Sequence, residues 1–377
     1  MISSADKLLP QIVEPLLKWY RENRRILPWR EDPSPYHVWV SEIMLQQTRV
    51  EAVKSYYKRF IEALPDIKAL ALCPDDKLLK LWEGLGYYSR VKNMKKAAGE
   101  ILSSYNGVLP KEPKQLKELS GIGDYTAGAI ASIAYDVPVP AVDGNVLRVL
   151  SRVLCSEEDI SLPATKNYFT QQLTAVEPSS GAGIFNQSLM ELGATVCLPN
   201  GEPKCFLCPL RALCLARQEG KENLLPIKAP KKARRIEERT LFVFRITLQG
   251  KEYTLLHRRP SKGLLGGMWE FPALESCCSV LQAQEYAEDL AQSLGLSVDS
   301  ITPLKAHKHL FTHIEWHMTA WEIKAQVKDS SAAAQHLRKL LPENGALVLC
   351  QSLDPENISE AIALPSAFRP YRDHLMK

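Results

Sequence analysis

Four cysteines lie within eighteen residues, Cys197, Cys205, Cys208 and Cys214, with seven, two and five residues between them. Cys205 and Cys208 form a C-x-x-C pair that can present two thiolates from one short loop, and all four can reach a single metal centre. Iron–sulfur and zinc both suit four thiolates, so residue type leaves the occupant open. Cys73, Cys155, Cys277, Cys278 and Cys350 have no such spacing and read as small apolar residues.

About seventy residues upstream stands Leu116-x-x-Leu119-x-Gly121-Ile122-Gly123-x-Tyr125-Thr126-Ala127. Two glycines permit a tight turn and close backbone approach, and the helix that follows starts with free N–H groups able to meet a phosphate. Gly-x-Gly alone is weak and also fits a helix turn that binds nothing. Twenty residues further on, the proline-punctuated Val137–Val142 ends at Asp143, immediately before another helical pattern. An acid there is an N-cap, which does not exclude a second role. Glu42 sits among Val38, Trp39, Val40, Ile43, Met44 and Leu45, on a helix expected to be buried on several sides. Burial there raises a carboxyl pKa toward that of a general acid, unless backbone or an arginine such as Arg49 holds the charge.

The elements carrying these residues form two kinds of text. From Leu8 to about Leu225 apolar residues recur at three- and four-residue spacing, predicting helices over 38–60, 78–82, 90–105, 125–135 and 146–154 and no strand. Ile227–Arg235 is proline-punctuated and basic and reads as a linker, which either follows DNA phosphates, stays solvated or meets a protein partner. Beyond it, 241–246, 253–256 and 314–322 predict strands and 283–294 a helix, giving a smaller α+β domain. The 377 residues, 45% hydrophobic and 24% charged, suffice for two or three cored domains, and a net charge of +4 does not identify a nucleic-acid partner. Nine cysteines and an opening stretch without the pattern of a secretory signal point to a reducing, cytoplasmic setting, and no run is apolar enough for a membrane span.

The order hairpin, aspartate, cysteine loop resembles the helix-hairpin-helix family that includes endonuclease III and the MutY-type adenine DNA glycosylases. Leu27-Pro28-Trp29-Arg30 and Pro35–Thr48 resemble the MutY signature more closely. Bifunctional members carry a lysine where this chain has Tyr125, so no lyase nucleophile is expected. The resemblance covers nearly the whole chain and implies a [4Fe-4S] cluster on the four cysteines. It departs in one respect: family members have six residues between the first two cysteines, and Leu198-Pro199-Asn200-Gly201 makes this interval seven. A Pro-Asn-Gly turn absorbs the extra residue without moving the ligands, and Lys204 and Arg211 read as solvated charges or as phosphate contacts.

The resemblance further implies a monofunctional base-excision enzyme acting on adenine opposite 8-oxoguanine or guanine. Glu42 protonates the flipped adenine, Asp143 stabilises the sugar cation, and Tyr125 and Asn145 position them. Gln47, Thr48, Tyr87, Gly121 and Gly123 then contact DNA, with Arg30 near the pocket. Tyr87 and Tyr88 also fit ordinary half-buried aromatics, and Trp29 fits the core. His257–Pro260 and Gly263–Pro272 resemble a Nudix-type domain, but Gln292 and Ser293 stand where paired acids would hold magnesium, so recognition without hydrolysis is expected. Phe311-Thr312-His313 resembles the loop with which MutY proteins sense 8-oxoguanine, and also fits a plain strand end. The expected organisation is an all-α glycosylase domain over 1–225 with the cysteine loop at 197–214, a linker over 226–238 and a Nudix-like α+β domain over 239–377. The expected protein is a cytoplasmic monomer, nucleoid-associated if bacterial, whose partner is double-stranded DNA, with repair or replication proteins able to meet the linker. A glycosylase-lyase for oxidised pyrimidines and a non-catalytic damage sensor are the alternatives.

Overall fold

A computed structural model describes residues 4–230, 233–327, 341, 344–354 and 362–377. Lys231 and Lys232 of the expected linker, and parts of the expected C-terminal domain, lie outside the described residues. The chain divides into two compact units, one formed by Met1–Cys73 and Ser89–Pro230, the other by Pro74–Tyr88 and Lys231–Lys377. The expected 1–225 domain is therefore interrupted, because Pro74–Tyr88 packs with the C-terminal residues.

The described secondary structure of the first unit is helical: α1 (Ser4–Asn23), α2 (Pro28–Glu31), α3 (Pro35–Leu45), α4 (Val50–Ala63) and α5 (Ile67–Leu72). After α6 (Asp75–Leu81), which belongs to the other unit, come α7 (Ser89–Ser104), α8 (Pro113–Glu118), α9 (Asp124–Tyr135), α10 (Gly144–Val153), α11 (Pro163–Thr174), α12 (Ala182–Thr195) and α13 (Leu215–Gln218). One core joins α1, α10, α11 and α12 through Ile12, Leu16, Val146, Leu150, Phe169, Phe185 and Leu189. Their apolar positions repeat every three or four residues, so one stripe of each helix faces the others.

The single helix expected over 38–60 is two helices, broken at Gln46–Arg49. The apolar period runs through the break, but Gln47 takes a left-handed φ of 58°. Arg90 collects the carbonyls freed at the end of α3, donating from Nη1 to Ile43, Met44 and Gln46 at 2.7, 3.1 and 2.6 Å. A distant arginine thus satisfies the C-terminus that local sequence would have continued.

In the second unit β1 (Arg235–Leu248), β2 (Lys251–Arg258), β3 (Trp269–Glu270) and β4 (Ala273–Leu274) precede α14 (Val280–Ser293). β5 (Leu296–Leu310), β6 (Ile314–Val327), β7 (Gly345–Leu349) and the terminal helix α15 (Arg369–Leu375) follow. The sheet order is β3-β2-β1-β6-β5, with β4 paired to β1 and β7 to β2; β1 and β6 run parallel and the other pairs antiparallel. Leu241 and Val243 of β1 face a core with Trp316 and Tyr371, while Phe242 and Phe244 face one with Ala283, Ala287 and Ile323. Two covered faces account for the unbroken Leu-Phe-Val-Phe run.

β1 begins at Arg235, so residues 235–238 of the expected linker are strand: their parallel partner Ile314–His317 supplies the ladder that local composition does not suggest. β5 escaped sequence reading for the same reason, since its polar, proline-containing text is held by pairing with β6 through two register shifts. α14 is closed at its N-terminus by a reciprocal Ser279–Gln282 capping box.

Candidate active site

Asp143 is held by the start of α10. Its Oδ1 accepts from the backbone N–H of Asn145 and Val146 at 2.9 and 2.8 Å, and its Oδ2 from Asn145 Nδ2 at 2.7 Å. The residue is an N-cap, as its placement before a helix suggested, and these donors all favour its anion. Burial pushes its carboxyl up from the usual range, and the donors with Arg148 pull against it.

Glu42 is 7% exposed on α3, and its carboxylate accepts from the Tyr125 hydroxyl of α9 rather than from Arg49. Burial lifts the Glu42 pKa to about 7; the Tyr125 bond and Arg30 lower it, and the Asp143 charge raises it further. A carboxyl poised near neutrality suits proton transfer in either direction. Tyr125 lies in the field of both acids, which with burial keeps its phenol protonated.

A cleft of about 550 Å³ is lined by Glu42, Tyr125, Asp143, Asn145, Arg30, Gln47 and Thr48 together. Residues scattered from 30 to 145 in the sequence thus share one cavity. Trp29 is buried and lines the same cleft, so core and pocket roles coincide. Thr48 also accepts from Arg90 Nη2 at 3.4 Å, which helps fix the turn that exposes Gln47.

Gly121 and Gly123 lie apart, between α8 and α9. Gly121 has φ of 78°, and a Cβ there would lie 2.6 Å from Asn93 Cβ, so the turn requires glycine. Gly123 is extended, and a Cβ would meet nothing within 4 Å. Its bare position caps α9 without a side-chain bond and leaves space in front of the first N–H groups.

Several residues of the site have no motif to announce them. Glu191, on α12, takes Arg25 Nε and Arg30 Nη2 at 2.7 and 2.8 Å, and its carboxyl is lowered to about 2 despite burial. Arg30 is therefore a paired wall of the cleft rather than a free cation. Arg148 joins the Asp143 region to the cysteine loop, donating to Asn145 Oδ1, Gly193 O and Cys197 O at 2.9, 2.9 and 2.8 Å. Gly193 permits that closeness, since a Cβ on it would lie 2.6 Å from Asn145 Cβ. Arg148 and Arg152, four residues apart in an otherwise apolar stretch, are the sequence signal that could have found this link and was missed.

Cys197, Cys205, Cys208 and Cys214 line one small pocket of about 30 Å³ with Val149, Leu192 and Leu210. Arg152 Nη1 donates to Cys197 Sγ at 3.1 Å, and burial, then the neighbouring cysteines, push the Cys208 thiol up to about 12. Four sulfurs in an apolar enclosure under an arginine suit a thiolate-bound metal core, which would remove the penalty on a bare thiolate. Among the described residues no three His, Cys, Asp or Glu side chains meet the geometry of a metal-ion site.

In the second unit Phe311, Thr312 and His313 form the turn between β5 and β6. Phe311 packs edge-on to His309 and Trp316, while Thr312 and His313 are exposed. Tyr87 belongs to this unit, is 44% exposed, and its hydroxyl lies 2.8 Å from Thr312 Oγ1.

A glycine hairpin, a capping aspartate and a buried acid on one helical frame define a base-excision glycosylase fold, here followed by a Nudix-type sheet domain. The family description "HhH-GPD superfamily base excision DNA repair protein" matches residues 40–175, and "NUDIX domain" matches 243–374. A solved thermostable thymine-DNA glycosylase aligns with 25% identity and a TM-score of 0.52, over 58% of this chain and 100% of that one. The adenine DNA glycosylase of Mus musculus is 32% identical over 95% of this chain and 77% of its own, and that of Schizosaccharomyces pombe 33% identical over 80% and 79%. The chain belongs to the adenine DNA glycosylase family.

Proposed function

We propose that this protein hydrolyses the N-glycosidic bond of adenine mispaired with 8-oxoguanine or guanine, with Glu42 and Asp143 as its two catalytic acids. The observation that carries the reading is their shared cleft, with Tyr125 in the field of both. Adenine turned out of the duplex enters the cleft, where protonated Glu42 gives its proton to the N7 edge and the base leaves neutral. The C1′–N9 bond breaks, its electron pair goes to the base, and the Asp143 carboxylate faces the sugar cation. Water adds to C1′ and its proton returns to the Glu42 carboxylate left by the first step, restoring the acid and leaving an abasic site. Asn145 holds Asp143 by the 2.7 Å bond, Tyr125 orients Glu42, and Arg30 and Glu191 form a polar wall. Gln47, Thr48, Tyr87, Gly121 and Gly123 are assigned to DNA contact, supported by cleft lining for Gln47 and Thr48, left-handed φ for Gln47 and Tyr87, and bare N–H groups after Gly123.

Cys197, Cys205, Cys208 and Cys214 would hold a [4Fe-4S] cluster, which would cross-link the 197–214 loop within itself, while Arg148 and Arg152 of α10 bond its Cys197 end. Thr312 is assigned to the base opposite adenine: 8-oxoguanine carries an N7 hydrogen where guanine has a lone pair, and a hydroxyl oxygen can accept it. Gln292 and Ser293, at the end of α14, support recognition over hydrolysis in this domain. Double-stranded DNA is the partner and the cytoplasm or nucleoid the setting of this reading; among the described residues no helix is long and apolar enough to cross a membrane. The organisation we propose is a glycosylase domain over 1–225, a linker over 226–234 and a reader over 235–377, with Pro74–Tyr88 lent to the reader.

The test is base release from duplexes carrying adenine opposite 8-oxoguanine, guanine or thymine. Free adenine, fastest opposite 8-oxoguanine, with no borohydride-trapped adduct, is expected. Release of oxidised pyrimidines through a trapped Schiff base, or no release at all, overturns the reading.

A further inference from the structure

The segment before Tyr87 carries a set of buried charges that the proposed chemistry does not use. Lys80 of α6 has a side chain 0% exposed, and its Nζ lies 3.0 Å from Glu83 Oε2 while donating to Asp354 O and Ile362 O at 2.9 and 3.2 Å. Glu83, 4% exposed, accepts from Arg372 Nη1 of α15 at 3.2 Å. Nearer the surface, Arg258 of β2 pairs with Asp76.

Buried ion pairs seldom stabilise a fold more than well-packed apolar residues would, and their best-attested use is fixing register. What is registered here is the turn immediately after Glu83. Trp82 Nε1 donates to Gly86 O at 3.1 Å and the Tyr88 hydroxyl accepts from Gly84 N at 3.2 Å. Tyr87 adopts a φ of 47°, a conformation unfavourable for a bulky side chain that persists only where its surroundings impose it. The turn delivers the Tyr87 hydroxyl to Thr312, whose loop is also held by Arg234 Nε on Phe311 O at 2.8 Å and by Arg235 N on His313 O at 3.0 Å.

We propose that Asp76, Lys80 and Glu83, paired with Arg258 and Arg372, are positioning residues that hold the Gly84–Tyr88 turn in register with the Phe311–His313 loop and so set the preference for the base opposite adenine. The inference rests on the reading of Thr312 given above. No residue of the brace touches DNA in this account; each acts through the turn, and its loss blurs discrimination while leaving adenine excision intact.

The test uses the full chain and single-turnover adenine release opposite 8-oxoguanine and opposite guanine, well below each variant's melting temperature. In Glu83→Gln and Arg372→Gln the ratio of the two rates falls about tenfold, a differential of about 1.4 kcal/mol, while the rate opposite guanine stays within about twofold. Asp76→Asn, at the rim and safe for folding, lowers the ratio about threefold, and Arg372→Lys restores part of it. Equal falls in both rates mean a merely structural network and overturn the proposal, as does an unchanged ratio in Glu83→Gln and Asp76→Asn. A wild-type ratio of one refutes the Thr312 reading and the brace with it; a wild-type preference that survives every substitution refutes the brace alone.

Discussion

Replacing Glu42 by glutamine should make the protein more stable at alkaline pH and hardly change it in acid. Burial raises the Glu42 carboxyl from its usual 4.5 to about 7 in the folded chain. Below about pH 4.5 both folded and unfolded states hold most of the proton and the group has little effect. Between about 4.5 and 7 the unfolded chain has released the proton and the folded one retains it, so stability falls as pH rises by up to about 1.4 kcal/mol per unit. Above about pH 7 the loss levels off near 3 kcal/mol. Glutamine keeps the shape and an oxygen for the Tyr125 hydroxyl but cannot ionise. The difference between variant and wild type in urea unfolding, followed through the helical unit, should grow from near zero at about pH 4.5 to about 3 kcal/mol in favour of glutamine at about pH 8. A pH-independent difference, or a less stable variant at pH 8, would refute the account of a desolvated acid at this position.

The rate of adenine release should decline above about pH 7 as Glu42 loses its proton, and in Tyr125→Phe that decline should move upward by about one pH unit, because the hydroxyl that favours the carboxylate is gone; an unmoved or lowered midpoint in the pH–rate profile contradicts this. Gly121→Ala should lower stability by about 2 kcal/mol, from its positive φ and the crowding at Asn93, whereas Gly123→Ala should melt like wild type yet bind duplex DNA more weakly, as thermal unfolding and binding titrations can separate. Cys208→Ser should reduce iron and labile sulfide per chain and destabilise the 197–214 loop, read by metal analysis and limited proteolysis.

The helical character of the first unit, the positions of α7, α9 and α10, and the candidate residues at the glycine turn, at the acid before α10 and in the cysteine loop were legible because each rests on local spacing. What stayed hidden depends on partners far away in the chain. The break after α3 is made by Arg90, 44 residues beyond Gln46 and invisible to a periodicity that runs straight through Gln47. β5 and the first residues of β1 are strands because β6 pairs with them, not because their composition favours extension. Glu191 and Arg148 complete the site through contacts spanning 161 and 49 residues, and no short motif contains them. Pro74–Tyr88 reads as one more helical segment, yet its buried charges find partners only near the C-terminus.

The central claim is that Glu42 supplies the proton and Asp143 stabilises the sugar cation at a single extruded adenine. Single-turnover adenine release opposite 8-oxoguanine, measured at saturating enzyme beside duplex binding for wild type, Glu42→Gln and Asp143→Asn, tests it most directly. The account predicts that both variants bind the duplex and release adenine at least about a hundredfold more slowly. Release near the wild-type rate by either variant, with binding unchanged, would contradict it.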